Sequence, residues 1–78
     1  MTTTAVSAES DWCESQGEAV TQASMLIEEE IAAETLRIQA QNGEIFSVGH
    51  SSISVREKSE GQQIYWQGYG TGSIEWSV

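Results

Sequence analysis

Between Gln16 and Gln41 the apolar residues recur at helical spacing. Val20, Ala23, Ile27, Ile31 and Ile38 fall on one stripe at about 100° per residue. Ala19, Leu26 and Ala33 widen it on one side, and Met25 and Leu36 lie almost opposite. No proline interrupts the run. The pattern predicts a helix held between its own sheet and a second surface, such as another subunit. Glu34 falls inside the stripe, so it must sit at the helix edge or pair with a base. Asp11 with Glu14, and Ser15 with Glu18, both fit an N-cap residue followed by an acid three places on. A short turn is expected near 9–14, then the helix. Asn42–Gly43 stops it, because both residues tolerate the left-handed conformation that ends helices.

After Gly43 the period changes to two. Phe46 and Val48, then Ile53 and Val55, alternate with polar neighbours, and the glycine and serines between them predict a hairpin with His50 at its tip. The polar stretch from Arg56 to Gln62 contains Gly61, a second turn candidate. In QQIYWQGYG, Ile64 and Trp66 share one face and Tyr65 takes the other. TGSIEWSV alternates Ile74, Trp76 and Val78 against polar residues, as a last strand would. The expected fold is α+β: one long amphipathic helix packed on a small antiparallel hairpin or sheet. Residues 1–8 read as a flexible N-terminal arm, 9–70 as a single small domain, and 71–78 as a C-terminal arm or edge strand that could join a neighbouring sheet.

Composition narrows the function classes. Seventy-eight residues bury only about 60% of their unfolded surface, so such a core is marginal by itself. Cys13 is the single cysteine, so no internal disulfide forms, and a Cys/His zinc site would lack ligands. Association with other subunits is the remaining way to add stability. The net charge is −9, and residues 1–34 carry eight acids and no base. That disfavours direct nucleic-acid binding, which needs clustered Lys and Arg. No apolar stretch is long enough to span a bilayer, and MTTTAVSAES does not read as a signal peptide.

No residue pattern matches a phosphate-binding loop, a dinucleotide fingerprint, a zinc motif or a nucleophile elbow. His50 has no ligand or nucleophile at suitable spacing and reads as a turn residue with, at most, a contact role. Cys13, between Asp11 and Glu14, reads as a small packing residue rather than a nucleophile. Glu28, Glu29 and Glu30 fan around the helix and do not converge on a metal. A non-enzymatic protein without cofactors is therefore expected. Its candidate interface residues are Phe46, His50, Tyr65, Trp66, Tyr69, Ile74 and Trp76, since Trp and Tyr often anchor interfaces. Trp12 belongs to the same aromatic set.

The stretch NGEIFSVGHSSISVREKSEGQQIYW, residues 42–66, resembles the small head–tail joining proteins of tailed bacteriophages, the lambda gpW type. The resemblance implies a helix, a β-hairpin and a second helix, in an adaptor that packs as a ring beneath the portal. It places that second helix on 55–66, where the residues themselves read as strand–turn–strand. The family's hairpin carries a basic residue after its glycines, and this chain has Ser51 there. The first functional expectation is a virion assembly protein, a head–tail connector or capsid-decorating subunit. It would dock as a homo-oligomer or on portal or capsid proteins, in the virion or the host cytoplasm during assembly. The alternative is an acidic inhibitor of a nucleic-acid-binding enzyme, of the anti-CRISPR or anti-restriction type, using Glu18, Glu28, Glu29, Glu30 and Glu34. A third is a host regulatory or antitoxin-like interaction domain.

Overall fold

A computed structural model describes residues 1–49 and 52–78. The chain runs β1 (Thr2–Glu9), α1 (Gln16–Ala40), β2 (Glu44–Val48), β3 (Ser52–Glu60) and β4 (Gln63–Ser77). One helix packs on a four-stranded antiparallel sheet, so the fold is α+β.

The helix begins and ends where its sequence asks. Ser15 is the N-cap, and its hydroxyl accepts from the Glu18 N–H at 3.1 Å. At the far end the Gly43 N–H donates to the Ile38 carbonyl and the Asn42 N–H to that of Gln39. This is the Schellman pattern, and Asn42 takes the left-handed position with φ 65°. Gly43 follows because a side chain there would run into Ile38 and Trp76. Ala19, Ala23, Ile27 and Ile38 are buried against the sheet. Glu34, on the same stripe, pairs with Arg37 at 3.0 Å.

The sheet is built around β4, which runs its 15 residues down the middle. β1 takes one edge, from Thr2 opposite Trp76 to Glu9 opposite Tyr69. β2 and β3 share the other edge end to end. Glu44–Val48 pairs with 74–77, and Ser52–Glu60 pairs with 63–71. The hairpin expected over 44–55 does not form, because both strands run in the same direction along β4. The Gly49 N–H holds that line by donating to the Ser73 carbonyl. His50, the expected tip, lies outside the described residues. The reversal comes at the second candidate turn, where Glu60 faces Gln63 and Gly61 takes φ 64° at the first position of a two-residue loop. Residues 55–66 are thus strand–turn–strand, and the second helix implied by the phage resemblance is absent.

Two further expectations change. Residues 1–8 are not an arm: Thr2–Glu9 form β1, with Val6 buried. Residues 71–77 are neither arm nor edge but part of the central strand, paired with β1 over 71–76 and with β2 over 74–77. The glycines of β4 bring the sheet up to the helix. Gly68, Gly70 and Gly72 all face α1, opposite Ala19 and Ala23, Ile27, and Ile31 respectively. Two strand residues advance about 6.6 Å and four helix residues about 6 Å, so this match holds register over three repeats.

The result is long and thin, 52 × 17 × 15 Å, with a radius of gyration of 15.1 Å. A compact 78-residue domain would have a radius near 11–12 Å. Among the described residues, only Ile27 and Ile74 are large side chains buried completely. Few apolar groups therefore hold the two layers together, and single contacts carry unusual weight.

Ser10 is one of them. It is 3% exposed and lies where β1 bulges before Cys13 rejoins Trp66. Its N–H donates to the Gly68 carbonyl, its hydroxyl accepts from the Gly68 N–H at 2.8 Å, and its carbonyl accepts from Gln67 Nε2. Ser10→Ala leaves the buried Gly68 N–H without a partner. We expect a loss of about 1–3 kcal/mol, read as a lower urea midpoint at unchanged slope.

Candidate binding face

The helix covers one face of the sheet, and alternation decides what the other presents. Even-numbered β4 residues turn to the helix and odd-numbered ones away from it. The uncovered face thus receives Tyr65, Gln67, Tyr69, Thr71, Ser73 and Glu75 from β4. β3 adds Ser54, Arg56 and Lys58 through its register with β4. β1 adds Thr3, Ala5, Ser7 and Glu9.

This face has two halves. Around Ala5, Ser7, Thr71 and Ser73 it is small and polar. Around residues 65–69 it is aromatic and cationic. The bulge after Ser10 lets Trp12 reach over β4, so that the Lys58 ammonium sits 4.5 Å from its ring centroid. The same ammonium lies 5.9 Å from the Tyr65 ring, and the Arg56 guanidinium 5.8 Å from the Tyr69 ring. Arg56 also crosses β4 to Glu9 at 3.3 Å, and Lys58 reaches Glu60 at 3.2 Å. Each exposed ion pair or cation–π contact contributes at most about 1 kcal/mol. Together they hold long side chains in place across three strands. Two of the chain's three basic residues are in this band. Trp12 and Tyr69 are both 37% exposed, and a shallow depression of about 410 Å³ opens beside Tyr69, lined by Ser54, Val55 and Arg56.

The sequence-derived interface residues divide between the two faces. Tyr65 and Tyr69 lie on the open face. Ile74 is completely buried beneath the helix and is a core residue rather than a surface one. Trp66 and Trp76 turn to the helix side as well, Trp66 bridged to Cys13 and Trp76 donating its indole N–H to Thr4 Oγ1 at 2.9 Å. Phe46 is the extra residue where the β2 register shifts between Ile45 and Ser47, and it stands 52% exposed at the sheet edge. His50 is outside the described residues. Arg56 and Lys58 were missed by sequence reasoning, although their alternation with Ile53 and Val55 already put them opposite the core face.

The acidic candidates do not form one surface. Glu18, Glu28, Glu29 and Glu30 are exposed around different sides of α1, whereas Glu34 lies on the sheet-facing stripe with Arg37. Met25 and Leu36 stand 59% and 68% exposed on the outer side of the helix, as the two-sided pattern predicts. Cys13 is buried, with its thiol donating to the Asp11 carbonyl. Among the described residues no helix is long and apolar enough to cross a membrane. The chain matches no protein-family model, no curated protein and no solved structure.

Proposed function

We propose that this chain is a non-enzymatic assembly subunit that docks on a larger protein through the open face of its sheet. The observation that carries the reading is the band of Trp12, Tyr65 and Tyr69 braced by Arg56 and Lys58. Aromatic and arginine side chains held in place on an uncovered surface are what interface hot spots are made of. The partner surface it fits is apolar, with polar groups at its rim. The same aromatics would suit nucleic-acid bases, but Arg56 and Lys58 are matched by Glu9 and Glu60 in a chain of net charge −9. The thin core supports the reading too, since a partner adds the buried surface the chain lacks.

The resemblance over residues 42–66 supplies the setting: a virion component, either a head–tail connector or a capsid-decorating subunit, with portal or capsid protein as its partner. With residues 55–66 in β3 and β4, the resemblance contributes less than the face does. A tagged chain expressed in its native host should co-purify portal, capsid or tail proteins in fixed ratio. The pair Trp12→Ala and Tyr69→Ala should cut that recovery about tenfold or more, equivalent to at least about 1.4 kcal/mol, with an unchanged far-UV spectrum. Recovery of a nuclease or effector subunit instead, released by moderate salt and indifferent to both substitutions, would refute it in favour of the acidic helix surface.

A further inference from the structure

The two edges of the sheet are guarded differently. The β2–β3 edge is broken by the register shift at Ile45/Ser47 and carries Arg56, Glu57, Lys58 and Glu60. The β1 edge is eight residues of regular strand without proline, and from Thr2 to Ala8 it has no charge. A long, regular, uncharged edge is a template for another strand unless something covers it. We propose that what covers it is β1 of a second copy, paired antiparallel about Ala5, so that two sheets become one.

The hydrogen-bonding pattern fixes the parity of the pairing, and the uncharged stretch from Thr2 to Ala8, centred on Ala5, fixes the axis. Ser10 and Cys13 bond to Gly68 and Trp66, so the even residues of β1 direct their backbone groups at β4. Thr3, Ala5 and Ser7 direct theirs outward. A two-fold axis at Ala5 sets Thr3 against Ser7, Ala5 against Ala5 and Ser7 against Thr3, giving about six hydrogen bonds. It also sets Thr4 against Val6, which keeps helix-facing residues on the helix side and open-face residues on the open side. Shifting by one residue would break both matches.

The helix supports the same axis. Gln22 accepts from the Asp11 N–H, which shows the flank of α1 that overhangs the β1 side. Leu26, Glu30, Ala33 and Arg37 continue that flank at helical spacing. Ile31 packs at Gly72, which is opposite Val6, so Ala5 and the axis lie level with about Ala33. Across the axis the two helices run antiparallel. Arg37 of one copy, four residues past Ala33, then comes level with Glu29 and Glu30 of the other. Arg37 is 63% exposed and so is free to turn from Glu34 toward them. A foreign strand would satisfy the edge but not this charge match, so the second copy is the better occupant. The pairing leaves the Trp12–Tyr69 band free on the opposite face.

The experiment is light scattering after size exclusion on the full chain at tens of micromolar. The expected mass is twice the 8.5 kDa of one chain. Ala5→Pro removes only an outward N–H and is tolerated on an edge strand, and Ala5→Lys puts like charges on the axis. Both should give monomers with the parental far-UV spectrum. Arg37→Glu should weaken the dimer about tenfold or more, and Trp12→Ala should leave it intact. A monomeric parent, or a dimer that survives both Ala5 substitutions, would overturn the proposal. Should an Ala5 variant lose its fold, Ala5→Cys in a Cys13→Ser background decides: a disulfide-linked dimer on mild oxidation supports the axis, and none overturns it.

Discussion

Gly68→Ala is expected to destabilise the fold by about 3 kcal/mol or more. Gly68 is buried where β4 passes closest to α1, and a methyl group there would meet the Ala19 backbone carbonyl, with the Ala23 Cβ at 2.7 Å. Neither neighbour is a flexible side-chain end, so the helix itself would have to lift. Lifting it also opens the packing at Gly70 and Gly72, which lie along the same line under Ile27 and Ile31. Overpacking usually costs about 1–3 kcal/mol, and a clash with backbone belongs at or above the top of that range. A domain of 78 residues has roughly 4–12 kcal/mol in hand, and this thin one should be at the low end. Thermal unfolding followed by circular dichroism should show no cooperative transition, or one lowered by about 15 °C or more. Gly17→Ala is the control: nothing lies within 4 Å of its added methyl, and the helix should gain stability.

Ile27→Ala is the second large effect. Ile27 is completely buried, and among the described residues it and Ile74 are the large side chains buried outright. It fills the middle of the helix–sheet seam over Gly70, where β4 has no side chain with which to close a gap. Truncating such a residue costs about 2–5 kcal/mol, and poor ability to collapse favours the upper half. The urea midpoint should fall by half or more. Met25→Ala, on the exposed outer side of the same helix, should leave the isolated chain within about 0.5 kcal/mol of the parent. A Met25 variant as damaged as the Ile27 variant would mean that the helix is seated the other way round.

These effects show what was legible in the sequence. The helix was, because its 3.6-residue period, the Ser15 cap and the Asn42–Gly43 stop are local signals. The Gly61 turn was legible for the same reason. The strand partners were not. Gly49 and the serines around it suit a turn, and only the length of β4 requires β2 and β3 to follow one another along the same edge. β1 was hidden because its helix-facing residues, Thr4, Val6 and Ala8, are too small to stand out as a buried alternation. The glycines of β4 were visible at period two, as were the alanines of α1 at period four, but their fit appears only when the elements are stacked. Alternation put Ile64 and Trp66 on one side and Tyr65 on the other. Which side was the core depended on where the helix lay, and so Ile74 and Trp76 were taken for surface and Arg56 and Lys58 were passed over.

The central claim is that the open sheet face, rather than the acidic helix, meets the partner. Hydroxyl-radical footprinting of the chain, free and within the complex it co-purifies in, tests this most directly. Protection of Trp12, Tyr65 and Tyr69 on complex formation, with Met25 and Leu36 as reactive as before, is the expected result. Protection confined to Met25, Leu36 and their helical neighbours, with Trp12 and Tyr69 unchanged, would contradict it.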